Sequence, residues 1–236
     1  MNKIKKSLSI GLLLSPFGVG AAPLVELFTS QGCYSCPPAD VFLGELIEKQ
    51  PEVVALEFHV DYWDTLHYGA AGVWKDPFSD PSYTLRQRIY NSKRLAGRTG
   101  VYTPQMVVNG NTAQLGSSKK AVRVALNKKP PMIDLDAKLV DDTLSVDIKG
   151  SGNRGSQIWL AIFDRLRVTD VPRGENHGKT MTNHHVVRQL VSLGDWRGEE
   201  ILQEFKVAAV NDADHGCAVF IQDESLGQIY GATYCE

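Results

Sequence analysis

The chain has little net charge, few cysteines and no long apolar run, and each shortage narrows its function. Across 236 residues, 25 Lys plus Arg face 27 Asp plus Glu, a formal net charge of −2. The basic footprint on which nucleic-acid or anionic-membrane binding depends is missing, so no nucleic-acid partner is expected. The apolar stretch Leu8 to Leu14 is far below the ~20 residues of a membrane-spanning helix, and no other run is long enough. Internal repeats and low-complexity segments are absent. Histidine appears without a metal-binding rhythm. His177, His184 and His185 cluster and His59 and His67 flank Tyr62-Trp63-Asp64, but no His-x-x-x-His or comparable pattern occurs, so no cofactor or metal is expected. The remaining composition, 43% hydrophobic, is that of an ordinary globular protein.

The first 22 residues read as a targeting segment. Lys3, Lys5 and Lys6 form a basic region, Leu8 to Leu14 an apolar one, and Val19-Gly20-Ala21-Ala22 a small-residue cleavage site. The expected mature chain starts near Ala22 or Pro23 and is secreted or periplasmic. No cysteine follows the cleavage site to carry a lipid, so no stable membrane insertion is expected after cleavage. All four cysteines lie in the exported part, and an oxidising compartment permits disulfides.

Cys33-Tyr34-Ser35-Cys36 stands between the apolar run Leu24 to Phe28 and a helix-like stretch from Pro37 to Gln50. Thr103-Pro104 opens another apolar run about 70 residues on. A Cys-x-x-Cys alone also suits zinc or a plain disulfide. Strand, Cys-x-x-Cys and helix, with a distant X-Pro at the head of a strand, point to a thioredoxin-type redox site. A thiolate attacks a disulfide, and a helix N-terminus supplies partial positive charge to favour it. Cys33 is therefore the candidate nucleophile, expected to be the more exposed and acidic thiol, and Cys36 the candidate resolving cysteine.

Periodicity and turn signals place a strand at 24–29, a helix at 37–49 with apolar Val41, Leu43, Leu46 and Ile47, and a buried strand at 53–60. A helix around 83–96, strands at 104–108 and up to 115 about an Asn109-Gly110 turn, and a helix at 117–128 follow. The stretch Asp61 to Pro81 is long enough, at ~20 residues, to suggest a functional loop. Arg86, Gln87, Arg88, Lys93 and Arg94 read as a solvated basic face. Lys128-Lys129-Pro130-Pro131 marks a boundary, after which the periodicity becomes two. The expected architecture is a leader at 1–22, an α/β thioredoxin-like domain at 23–129 and an all-β, sandwich-like domain at 132–236, with strands near 133–139, 144–148, 157–163, 185–193, 202–210, 217–222 and 228–234.

The last two strands permit a geometric test. With the turn centred on Leu226, Ile221 faces Gly231, Phe220 faces Ala232 and Cys217 faces Cys235. Opposed residues in an antiparallel pair have Cα atoms ~4.5–5.5 Å apart, within reach of a disulfide. A structural Cys217–Cys235 bond is expected, with an electron relay to Cys33–Cys36 as the rival.

The strings Glu26 to Asp40, Val60-Asp61-Tyr62-Trp63-Asp64 and Val101 to Gln105, with Gly174-Glu175-Asn176 and Val186-Val187-Arg188, resemble the secreted thioredoxin-like proteins of domain of unknown function 1223. The resemblance covers essentially the whole mature chain and implies a thioredoxin-like fold; it supplies no substrate. Thr103-Pro104 matches the cis-proline position of thioredoxins. Glu26 stands approximately where thioredoxins keep a buried acid, and is either a proton acceptor for Cys36 or a partly solvated strand glutamate. Prolines after Cys36 and Pro37 suggest a late helix start, and Gln31-Gly32 before Cys33 a polar, flexible surround. His59 is the histidine best placed to approach Cys33, with a buried structural imidazole as the alternative.

The leading expectation is an exported thiol–disulfide oxidoreductase acting on protein or small-molecule disulfides and thiols. A metallochaperone-like module holding copper between the two thiolates, and an interaction module stapled by Cys33–Cys36, are the alternatives.

Overall fold

The computed structural model describes residues 22–97, 99–128, 133–207 and 213–236. The expected leader, apart from Ala22, and the Pro130-Pro131 boundary lie outside these residues. In order come β1 (Leu24–Thr29), α1 (Pro37–Lys49), β2 (Val54–His59), α2 (Pro81–Ser92), β3 (Gln105–Val108), β4 (Thr112–Leu115) and α3 (Lys119–Leu126). Strands β5 (Asp134–Val140), β6 (Thr143–Lys149), β7 (Ser156–Val171), β8 (Lys179–Trp196), β9 (Ile201–Lys206), β10 (His215–Gln222) and β11 (Ile229–Tyr234) complete the chain.

The strands form one eight-stranded mixed sheet, ordered β11-β10-β7-β8-β2-β1-β3-β4, and one three-stranded sheet, ordered β5-β6-β9. This overturns the expected thioredoxin-like α/β domain followed by a separate all-β domain. The described residues are 43% strand and 18% helix. Strand β8 pairs antiparallel with β7 and parallel with β2 through Glu57 and Val186, so late strands continue the sheet begun by early ones.

Side-chain alternation explains why the sheet is continuous. Leu24 and Phe28 of β1, Val54, Leu56 and Phe58 of β2, Ala161 and Phe163 of β7, and Ala218 and Phe220 of β10 share one core, which α2 joins with Tyr83 and Tyr90. On the opposite face, Val25, Leu27, Ala55, Met106 and Val108 pack against α1 and α3. Farther along that face Ile158, Leu160, Ile162, Val219 and Ile221 pack against Leu135, Leu144, Val146 and Ile148 of the small sheet. Both faces are buried, so these strands carry apolar runs where a half-exposed sheet would alternate.

Helix α1 begins at Pro37, as the 37–49 reading has it and without the delay that the two prolines suggested, because a proline at the first helical position gives up only an N–H with no partner in the helix. Its buried stripe is Ala39, Phe42, Leu43 and Leu46; Leu43 and Leu46 are as expected, Ile47 is half-buried and Val41 faces solvent. In α2 the Asp80 carboxylate caps the helix by accepting from the Ser82 N–H. Arg86 and Gln87 point into the core, and only Arg88, Lys93 and Arg94 of the expected basic face are exposed. The β10–β11 register is as derived: Phe220 opposes Ala232 and Ile221 opposes Gly231.

Candidate active site

Strand β1 ends at Thr29 and the chain turns at once into α1. The Gly32 N–H donates to Ser30 Oγ (3.0 Å), the Cys33 N–H to the Ser30 carbonyl (3.1 Å) and the Cys36 N–H to the Cys33 carbonyl (3.2 Å). Cys36 is the N-cap, and its carbonyl accepts from the Ala39 and Asp40 N–H groups. Cys33 and Cys36 are disulfide-bonded with Cα atoms 5.4 Å apart, and Cys217 and Cys235 are bonded with Cα atoms 5.3 Å apart. Ser35 Oγ lies 3.4 Å from Cys33 Sγ. The sulfurs thus sit where an α-helix presents partnerless N–H groups and the positive end of its dipole.

The Thr103–Pro104 peptide bond is cis. Gly116 lies between this segment and α1, so close that an added methyl would stand 3.0 Å from Pro104 Cβ and 3.1 Å from Ala39 Cβ. Trp63 connects the other side: its Nε1 donates to Thr103 Oγ1 (2.9 Å), and its Cβ packs on the backbone of Gly32. Residues far apart in sequence therefore converge on the Cys-x-x-Cys turn.

Both cysteines are 0% exposed, against the expectation of an open Cys33. The tip of the β7–β8 hairpin packs on the backbone of this turn. Asn176, itself 0% exposed, donates from Nδ2 to the Gln31 carbonyl (2.8 Å) and the Cys33 carbonyl (2.9 Å). Glu175 Oε2 accepts from the Tyr34 N–H at 2.8 Å. Lys179 donates to Asn176 Oδ1 (2.8 Å) and places its ammonium 4.3 Å from the centre of the Tyr34 ring. The tip is held from behind by Gly174, whose N–H donates to the Ala71 carbonyl (3.0 Å) and whose positive φ of +77° lets its backbone lie against Trp74. Gln31 and Gly32 are buried too, so the surround is packed where flexibility was expected.

Beneath the turn lies a layer of buried charge. Thr29, Glu57 and His59 project from β1 and β2 toward the α1 side of the sheet, by the same alternation that sends Leu27 and Ala55 there. His59 Nδ1 is 2.7 Å from Asp76 Oδ2, and its Nε2 is 3.3 Å from Glu57 Oε1, an ion-pair contact without hydrogen-bond alignment. Burial alone would push the His59 pKa down, but Asp76 by charge and hydrogen bond, and then Glu57, carry it up to about 10. Burial would likewise raise Asp76, yet the imidazolium, the His59 hydrogen bond and the Gln31 and Phe78 N–H groups hold it below the usual carboxylate range. Asp76 Oδ2 also accepts from the Gln31 N–H (2.7 Å), which ties this charge layer to the chain two residues before Cys33. Glu57 accepts from Asn183 Nδ2 (2.7 Å) and the His184 N–H (2.8 Å), and Asn183 Oδ1 accepts from Gln31 Nε2 (3.0 Å). Asp40, in the first turn of α1, accepts from Thr29 Oγ1 at 2.7 Å. Burial, followed by the Glu57 charge, raises its pKa well above the usual range.

Cys33 and Cys36 frame the turn, Pro104 and Ala39 of α1 both lie against Gly116, and Thr103 holds Trp63, which packs on Gly32. Glu26 does not join them by alternation: it points to the opposite face, where Arg86 Nε is 2.6 Å from its Oε1 and the Tyr90 hydroxyl donates to its Oε2 at 2.5 Å. Arg86 also donates to Gln222 Oε1 (2.7 Å), closing a buried network. Of the histidines, His59 is the one drawn into the layer below the cysteines, while His184 packs on Gly44 of α1 and His185 is buried against Phe163 and Tyr234. Among the described residues no three His, Cys, Asp or Glu side chains gather as a metal site. Asp40, Glu57, Asp76 and Asn176 carried no functional signal in sequence. A proline-flanked Asp76 inside an overlong loop, and the quoted Gly174-Glu175-Asn176 string, were the available hints.

Residues 24–222 match the family described as "Protein of unknown function (DUF1223)". A crystal structure of a protein from Agrobacterium tumefaciens is 33% identical, with a TM-score of 0.75, and the match covers 91% of this chain and 94% of that one. HBP35 of Porphyromonas gingivalis is 14% identical with a TM-score of 0.51, covering 91% of this chain and 74% of that one, a likeness of fold alone. No curated protein matches. The chain belongs to the DUF1223 family.

Proposed function

We propose that this DUF1223 member is an exported thiol–disulfide exchange protein acting through Cys33 and Cys36. The observation that carries the reading is the bonded Cys33–Cys36 pair at the N-terminus of α1, with Cys36 as the N-cap. When the pair is reduced, the helix terminus favours a thiolate there. Cys33 attacks one sulfur of a substrate disulfide, and the other substrate sulfur leaves as a thiolate and takes a proton from solvent. Cys36 then attacks Cys33 Sγ, expels the second substrate thiolate and restores the Cys33–Cys36 bond. Two electrons pass to the substrate; run backwards, the same steps oxidise a dithiol. Two intervening residues suffice for the resolving attack, since the Cα separation already accommodates a bond.

Export is supported by two disulfides, which persist in oxidising compartments. No helix among the described residues is long and apolar enough to cross a membrane. The test is trapping. Reduced Cys36→Ser, mixed with a disulfide-containing peptide, should accumulate a Cys33–peptide mixed disulfide visible by mass spectrometry, while wild type releases reduced peptide. No adduct with Cys36→Ser, or equal adducts with Cys33→Ser and Cys36→Ser, would rule the assignment out.

A further inference from the structure

The β7–β8 tip satisfies specific backbone groups of the turn that holds the buried sulfurs. The Cys-x-x-Cys turn presents two acceptors, the Gln31 and Cys33 carbonyls, and one donor, the Tyr34 N–H. Asn176 Nδ2 supplies N–H donors to the first two, and Glu175 Oε2 supplies an oxygen acceptor to the third. A carboxamide N–H and a carboxylate oxygen side by side reproduce what an extended polypeptide backbone offers, an N–H and a C=O on one edge. Tyr34 is 65% exposed beside them, and Lys179 lies over its ring, so aromatic contact area is ready at the rim of the same place. A groove of about 330 Å³ lined by Ala70, Ala71, Gly72, Pro172, Arg173 and His177 adjoins the tip.

We infer that residues 174–176 are a built-in stand-in for substrate: they occupy a docking edge for an extended polypeptide segment, and the Cys33–Cys36 pair reacts fastest when such a segment displaces them. This rests on the exchange chemistry proposed above and names its substrate class, the cysteines of a protein in an extended segment. The arriving backbone N–H donates to the Gln31 carbonyl and its C=O accepts from the Tyr34 N–H, while the Cys33 carbonyl keeps the Cys36 N–H, so that opening leaves none of the three without a partner. A small thiol or disulfide lacks those groups and reaches the sulfurs only through spontaneous opening of the tip, which slows its exchange without changing the equilibrium.

Two measurements on the full-length mature chain test this. In reduced protein, the alkylation rate of Cys33 by iodoacetamide reads how often the tip opens. Asn176→Ala removes both hydrogen bonds to the turn, along with the one from Lys179, and should raise that rate roughly tenfold. Glu175→Gln keeps the side-chain size, removes the charge from one bond, and should raise it by a smaller factor; it decides the matter if near-ultraviolet circular dichroism shows Asn176→Ala unfolded. Unchanged rates in the folded variants would overturn the cover. The second measurement uses reduced Cys36→Ser and a peptide whose single cysteine is bonded to glutathione. Cys33 attacks the peptide sulfur and glutathione leaves as thiolate. N-methylating the peptide bonds beside that cysteine should slow adduct formation roughly tenfold, because the N–H that replaces Asn176 is gone. Equal rates for the two peptides would overturn the polypeptide partner. Faster alkylation in the variants with no adduct from either peptide would overturn the exchange chemistry instead, leaving the tip a plain cover.

Discussion

Replacing His59 with Gln tests the buried charge layer under the Cys-x-x-Cys turn. His59 and Glu57 are 0% exposed and Asp76 is 2% exposed, with the imidazole between the two carboxylates at 2.7 and 3.3 Å. His59→Gln leaves two buried carboxylates without a cation, and breaking a buried ion pair from one side costs about 3–5 kcal/mol. With an m-value of about 2 kcal/mol per molar urea, the unfolding midpoint should fall by about 1.5–2.5 M. The sign with pH is fixed by the raised pKa. His59 binds its proton more tightly folded, at about 10, than unfolded, near 6.5. Its contribution is therefore complete below the unfolded value and is lost as pH rises through about 10. Asp76, lowered in the fold, contributes above its unfolded value and loses this as pH falls through its folded one. The gap between wild type and His59→Gln should thus be widest near pH 5–6.5 and narrow toward pH 10. Urea titrations at three pH values decide it. A gap under about 1 kcal/mol, or one that widens with alkali, would refute the ion-triad account.

Asp40→Asn copies the neutral acid the fold prefers, so calorimetry should show the variant gaining on wild type as pH rises from 4 to 8, because wild type must keep Asp40 protonated against an increasing gradient. A gain that shrinks over that range would contradict a raised Asp40 pKa. Arg86→Met strands Glu26 in the core opposite, and urea unfolding should show a loss of about 3–5 kcal/mol. An unchanged midpoint would contradict a stabilising Arg86–Glu26 ion pair. Cys217→Ser opens a loop of sequence separation 18 and should cost about 3 kcal/mol. It should leave exchange at Cys33 intact in the folded protein; a folded but inactive variant would restore the electron-relay reading.

Local signals in the sequence were reliable wherever neighbours in sequence are also neighbours in space. The Pro37-Pro38 start, the helix that follows Cys36, and the β10–β11 register with its Cys217–Cys235 bond all depend on short-range geometry. The continuous sheet was not legible, because its join is a parallel pairing of Glu57 with Val186 and nothing in either strand names the other. The apolar runs of β7 and β10 showed that both faces are buried but not what buries them. Arg86 looked like surface because its spacing alone cannot reveal Glu26 on a strand 60 residues away. The contact of the β7–β8 tip with the Cys-x-x-Cys turn was invisible for the same reason: Asn176 reaches the Cys33 carbonyl across 143 residues through a side chain in an aperiodic hairpin tip.

The most direct test of the central claim is a redox titration of the folded protein in glutathione and dithiothreitol buffers, with each cysteine pair followed separately by mass spectrometry after acid quench and alkylation. If Cys33–Cys36 is an exchange site, it should pass reversibly between dithiol and disulfide in one two-electron transition, in the range of about −120 to −270 mV covered by exchange proteins. Cys217–Cys235 should stay oxidised throughout, as structural disulfides below about −300 mV do. A Cys33–Cys36 bond that yields only when the protein unfolds, or no more readily than Cys217–Cys235, would contradict the account.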